Sequence, residues 1–204
     1  MKYEITNITH PQNSNLTRIR ALRDIRKHGV RAGDLGGYMS YEDNLSQDGD
    51  CWIADNAIVS GNAEVYNDAL VSGNAEVYGW AKVYDDARVY GNARVTEQAQ
   101  VFGTAVVHGN AVVTGNALVS GSALVSGDAS VFGNAVVSDY ARVSDYARVS
   151  GLARVFDNAS VSERAWVSGL GEVYDNASVY GNARVFDNAI VSGNAEVSGN
   201  DKVS

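Results

Sequence analysis

From residue 53 onward the chain sets one aliphatic position against five others. Stepping by six from Ile53, every residue through Val203 is Val, 26 positions in all without a slip. Two residues before each Val sits Ala, from Ala57 onward, with Gly171 and Asp201 as the exceptions. The phrase is Ala-x-Val-z followed by two turn residues, where z is Ser, Tyr, Phe, Thr or His. Successive strand side chains point to opposite faces, so Ala and Val share the inner face while x and z point out. Each hexad therefore predicts one short strand and one corner. Val suits the flat side because β-branched residues fit strands, and Ala suits the narrowing beside a corner.

Most turn pairs read GN, DN, GD or DD, and Asn fills the second slot thirteen times between Asn56 and Asn200. Gly and Asn tolerate the left-handed backbone of a sharp corner, and stacked Asn side chains can bond from one coil to the next. A phosphate-cradling glycine loop would occur once, before a helix, so glycine at most corners reads as architecture. The Asn158-Ala-Ser160 and Asn176-Ala-Ser178 sequons are by-products of the same repeat.

Residues 1–50 follow another rule. EITNIT and LTRIRALRDI read as strands or a strand pair, and GVRAGDLGGYM implies tight turns. The expected division is a β cap over 1–50, covering the backbone edge of the first coil, and a repeat array over 51–204. Arg18, Arg20, Arg23, Arg26, Lys27 and Arg31 stand against Asp24 in this segment. They form a candidate anion site, with solvated cap faces as the plainer alternative.

Charge sharpens the picture of the array. The first fifty residues balance at seven acids and seven bases, so the net charge of −8 falls on the repeats. Eleven of the seventeen array acids are Asp, mostly in turn slots, where the short side chain bonds its own backbone. That explanation leaves little reason to read a DNA-mimicking surface. No basic stripe runs along the array, which disfavours nucleic acid. Cys51 is the only cysteine, so no internal disulfide forms, and its place in the first Ala slot marks it as a small core residue. MKYEIT lacks an apolar leader core, and no run approaches the roughly eighteen apolar residues of a membrane span. The expectation is a cytoplasmic protein without membrane contact.

Units such as V-Y-G-N-A-R and V-S-G-N-A-E resemble the hexapeptide-repeat superfamily, over about residues 51–204. The order R-I-R-A-L, G-D-L-G-G-Y and N-L-S-Q-D-G resembles bacterial and phage-encoded hexapeptide-repeat proteins, some labelled transferases. This resemblance implies an all-β, left-handed parallel β-helix in which three hexads make one triangular coil. The array then forms about eight coils, a prism on the order of 40 Å long at the spacing of neighbouring strands.

Coils of eighteen residues sort the outward positions onto three faces. The first carries Tyr66, Tyr84, Phe102, Phe156 and Tyr174 in its z column, and Leu118 and Val136 in its x column fill the middle. The second face, which includes His108, is mainly small and polar; the third holds Tyr78, Phe132, Trp166 and Phe186. Around residues 106–136 the x slots turn apolar on every face, as Val106, Val112, Leu118, Leu124 and Val136. A long apolar stripe marks an interface, and the superfamily implies a homotrimer packed through the first face. The alternative is that the aromatics only stabilise adjacent coils. An ice-binding Thr-x-Thr ladder is not present, since only Thr96 and Thr114 come close.

Many members of the superfamily are trimeric acyltransferases with a catalytic histidine in a cleft between subunits and a protruding loop. Here the spacing never departs from six, so no loop leaves the prism, and the array holds one histidine, His108. His108 is thus the weak catalytic candidate. A three-histidine zinc site would have to draw on His10 and His28 in the cap, so no metal and no cofactor is expected. The reading favours a non-catalytic scaffold or binding protein, a homo-oligomer with a small-molecule ligand between subunits. An acyltransferase is the alternative, and an end-to-end polymer through the uncapped Asp201-Lys-Val-Ser204 end is the second.

Overall fold

A computed structural model describes residues 1–204 and shows a three-sided parallel β-solenoid. Two long strands, β1 (Tyr3–His10) and β2 (Asn13–Ala21), form an antiparallel pair, and β3 (Leu35–Met39) follows. Then come 26 two-residue strands, one per hexad, from β4 (Trp52–Ile53) to β29 (Lys202–Val203). They stack in parallel, each pairing with the strand eighteen residues on: Leu118 faces Val136, and Val119 faces Val137. Three flat sheets result. The first face runs from Glu64–Val65 to Ile190–Val191 and the second from Trp52–Ile53 to Glu196–Val197. The third includes β1 to β3 and continues from Ile58–Val59 to Lys202–Val203.

Every inward Val from Val59 to Val185 and nearly every Ala partner is buried, in one continuous core of 55 residues that fills the prism. The backbone is satisfied between coils: Leu118 N–H donates to Ala135 O and Ser120 N–H to Val137 O, both at 2.9 Å. No peptide N–H in the middle of the shaft depends on a helix or a long loop. Stability is therefore distributed rung by rung.

The corners divide their labour more sharply than the composition suggests. All 25 first-slot residues between Asp55 and Gly199 have positive φ, and ten of them are not glycine: seven Asp, two Glu and Asn67. The thirteen second-slot Asn residues are not among them, which corrects the expectation that Asn supplies the left-handed turn. Asn instead builds the ladder between coils: Asn74 donates to Asn92 at 3.2 Å, Asn92 to Asn110 at 3.0 Å and Asn110 to Asp128 at 2.8 Å. First-slot carboxylates do similar work by accepting the corner N–H of the next coil, as Asp55 does from Gly73 at 2.9 Å and Asp175 from Gly193 at 2.9 Å. Asp tolerates left-handed backbone better than most residues because its short side chain can bond locally.

The solenoid begins before the first hexad. β3 lies parallel to the Ile58–Val59 strand, and Leu45 bridges Val65, so a partial coil precedes the repeats and the count rises from about eight to about nine turns. Gly36 and Gly37 permit this. A Cβ on Gly37 would lie 2.5 Å from Ala57 O, and one on Gly36 would lie 2.6 Å from Ile53 O. Buried Asn44 pins the same partial coil: its amide donates to Gly61 O and Ala63 O at 2.9 and 2.8 Å while its carbonyl accepts from Tyr41 N–H at 2.8 Å. Tyr3 closes the end from above, donating its hydroxyl to Leu45 O at 2.7 Å.

Candidate functional site

The first face is the most apolar side of the shaft. Its x and z residues fall in two columns, and the z column stacks ring on ring: Tyr66 on Tyr84 at 4.8 Å, Tyr84 on Phe102 at 4.9 Å, and Phe156 on Tyr174 at 4.9 Å. The planes differ by only 2° to 12°, because equivalent residues in successive coils repeat the same backbone and rotamer. Each ring covers its neighbour, so all five are half-buried within one chain. Burial pushes the Tyr66 and Tyr84 hydroxyls up from the usual phenol range. Leu118 and Val136 continue the surface where Ser120 and Ser138 interrupt the stack.

The corner leading into this face carries the side chains that sequence reasoning missed. Trp80, Leu152 and Leu170 take the second corner slot in place of Asn and are 62%, 54% and 52% exposed, and Ile190 in the x column is 59% exposed. The signal was available as a departure from Asn at a slot that Asn dominates. Trp80, Lys82, Gln98, Gln100 and Asn116 line a shallow depression of about 460 Å³ at the same edge. Two further corner residues, Tyr140 and Tyr146, are also largely exposed and lie on the other two edges.

His108 lies on the second face, half-buried, with its ring stacked on Tyr90 at 4.9 Å and 3°. Neither ring nitrogen has a hydrogen-bond partner within the chain, and no carboxylate orients it, so the geometry of an activated general base is not built around it. The third face holds a cation-π ladder. Arg148 and Arg184 lie over opposite coils' sides of Trp166 at 4.9 and 5.5 Å, Arg148 also lies 5.3 Å from Phe132, and Trp166 donates its indole N–H to Ser150 at 2.8 Å.

The cap cations are dispersed. Arg18 donates to Gly36 O and Asn56 and lies 4.5 Å over Tyr38; Arg20 pairs with Glu4 at 3.3 Å, and Arg23 pairs with Asp50 at 3.1 Å. Lys27 reaches the shaft, where it bridges Asp68 at 2.8 Å and Asp86 on the coil below. Arg26 and Arg31 extend outward without a carboxylate partner. The six therefore do not converge on one anion-sized site. Their clearest task is docking: the short turn Arg26–His28 lies along one edge of the prism, and His28 Nε2 lies 3.0 Å from Asp68 O.

This docking predicts a pH dependence. Burial, its largest cause, holds the His28 imidazole below its ordinary value, while the Lys27 ammonium holds Asp68 below the carboxylate range. The folded state thus resists protonating His28. Its contribution is complete above the unfolded imidazole pKa, near 6.5, and fades as pH falls through the folded value. Unfolding midpoints measured between pH 7.5 and about 5 should decline in the native chain and decline less in His28→Gln. Asp68 adds a further loss only below the ordinary carboxylate pKa.

No helix is long and apolar enough to cross a membrane. No cluster of three His, Cys, Asp or Glu side chains has metal-binding geometry. Two segments, residues 81–97 and 177–193, match the family model described as the YdcK beta solenoid repeat. Each begins on an inward Ala and covers about one coil. No curated protein matches the chain. The family match and the three-sided architecture agree on a β-solenoid fold, and the chain is similar, over these two coils, to the YdcK beta-solenoid repeat.

Proposed function

We propose that this chain is a non-catalytic β-solenoid scaffold that assembles side by side through its first face, as a homotrimer, with any small-molecule ligand held in the cleft between subunits. The observation that carries the reading is continuity. The half-buried stripe from Tyr66 through Leu118 and Val136 to Tyr174 is bordered by the exposed Trp80, Leu152 and Leu170, and Ile190 extends it toward the last coil. Coil stacking accounts for the rings but not for the corner residues, which touch solvent in place of a bonded Asn ladder. A half-buried apolar stripe flanked by exposed apolar corner residues, on a chain of net charge −8, is a surface that packing against another copy would cover.

Light scattering on the native chain should give three times the 21.7 kDa chain mass, constant with concentration. Leu152→Glu with Leu170→Glu should reduce it to the single-chain mass with unchanged thermal unfolding, because neither side chain supports the core. A native monomer, or a trimer indifferent to these substitutions, would remove the reading.

A further inference from the structure

Beneath the cap a buried amine lies against the buried thiol of the first Ala slot, a contact that the repeat does not require. Lys2 is 1% exposed and Cys51 is fully buried, and Lys2 Nζ lies 2.9 Å from Cys51 Sγ. The amine has one other partner, Asp48 O at 3.3 Å. None of the six ion pairs in the chain includes Lys2, so this buried amino group has no carboxylate to neutralise it. A buried lysine without a counter-ion is costly, and the sulfur is the one titratable group within hydrogen-bond distance of the amine.

The surroundings hold the two atoms in place. Lys2 N–H donates to Gln47 at 2.7 Å, and neighbouring Tyr3 is anchored through its hydroxyl to Leu45 O. The sulfur is ringed by Val65 O, Ser46 O and Asp48 O at 3.5 to 3.7 Å. An N···S separation of one hydrogen bond is also a gap that a single bridging atom spans with little movement of either chain.

We propose that Lys2 and Cys51 are a modification site, joined covalently through one oxygen atom as N–O–S when the folded protein meets dioxygen. One N–H bond of the neutral amine and the S–H bond break, the O–O bond of dioxygen breaks, and N–O and O–S bonds form. The second oxygen leaves as water with both hydrogens. Dioxygen accepts four electrons, two from nitrogen and two from sulfur, so the step balances without another reactant. Burial favours this product over a mixed disulfide, since dioxygen penetrates a packed core more readily than a thiol of glutathione size. It also sets the pair apart from the exposed, low-pKa cysteines that climb the ordinary oxidation ladder. The link would tie the start of β1 to the first hexad, 49 positions away, and clip the cap to the shaft.

Intact-mass measurement of the native chain, kept under oxygen or under argon with a thiol reductant, tests the proposal. The expected result is a gain of one oxygen less two hydrogens under oxygen, reversed by reductant, with Lys2 and Cys51 recovered in one cross-linked peptide. Cys51→Ser and Lys2→Met should lack the gain. The native readout does not depend on either variant folding. An unchanged mass, or a gain of whole oxygens on Cys51 with Lys2 unmodified, would overturn it.

Discussion

Val119→Asp should abolish the cooperative folding of the shaft, whereas Val203→Asp should be nearly silent. Val119 is fully buried between Val101 and Val137 in its own column, within a core cluster of apolar side chains. An ionised carboxyl there would be unpaired, and a protonated one would still lack hydrogen-bond partners, so the cost is about 4 kcal/mol or more. Position in the array adds to this. In a one-dimensional stack, a broken central rung removes the neighbour contacts of both halves, while the last rung has a neighbour on one side only. Val203 is already partly exposed, and its substitution should cost about 1 kcal/mol or less. Urea unfolding followed by circular dichroism distinguishes the two, and similar losses at both positions would contradict a continuous core.

The second large effect is expected at a corner. Gly115 has φ of 75°, and a Cβ there would lie 2.7 Å from Gly133 O and 2.8 Å from its nitrogen. Gly115→Val combines the left-handed penalty of a β-branched residue with a clash against backbone that cannot swing away, about 3 kcal/mol or more. Gly193→Ala isolates the conformational part. Its φ is 67°, but an added Cβ meets nothing within 4 Å, so the cost should be about 1 kcal/mol. Thermal unfolding of both variants checks the difference, and equal shifts would mean that spacing between coils does not limit the corners.

These two positions show why the fold was legible in the sequence. Val at every sixth residue and Ala two before it are set by the interior, and no tertiary accident has to be known to read them. The three faces of outward residues followed from the eighteen-residue coil, and the sheets reproduce them. The roles within a corner were less legible. Gly, Asp and Asn are all turn formers, and only the backbone shows that the first slot takes the positive φ while second-slot Asn bonds to the coil below. Contacts between cap and shaft were invisible for a different reason. Lys27 with Asp68, and Lys2 with Cys51, join ordinary residues across 41 and 49 positions, and no periodicity links them. The candidate interface was half visible: its aromatics were read from their column, but Trp80, Leu152 and Leu170, exposed in the second corner slot, were not singled out.

Which face meets which is the most direct question to put to the assembled protein. Leu118 and Leu124 occupy the same slot in adjacent hexads, are both partly buried, and lie on the first and second faces. Native Cys51 is buried, so Leu118→Cys and Leu124→Cys each add one accessible thiol. Treatment of both variants with a short bismaleimide should link copies of the chain through position 118 and leave position 124 uncoupled. Coupling at 124 alone, or at neither position, would contradict assembly through the aromatic face.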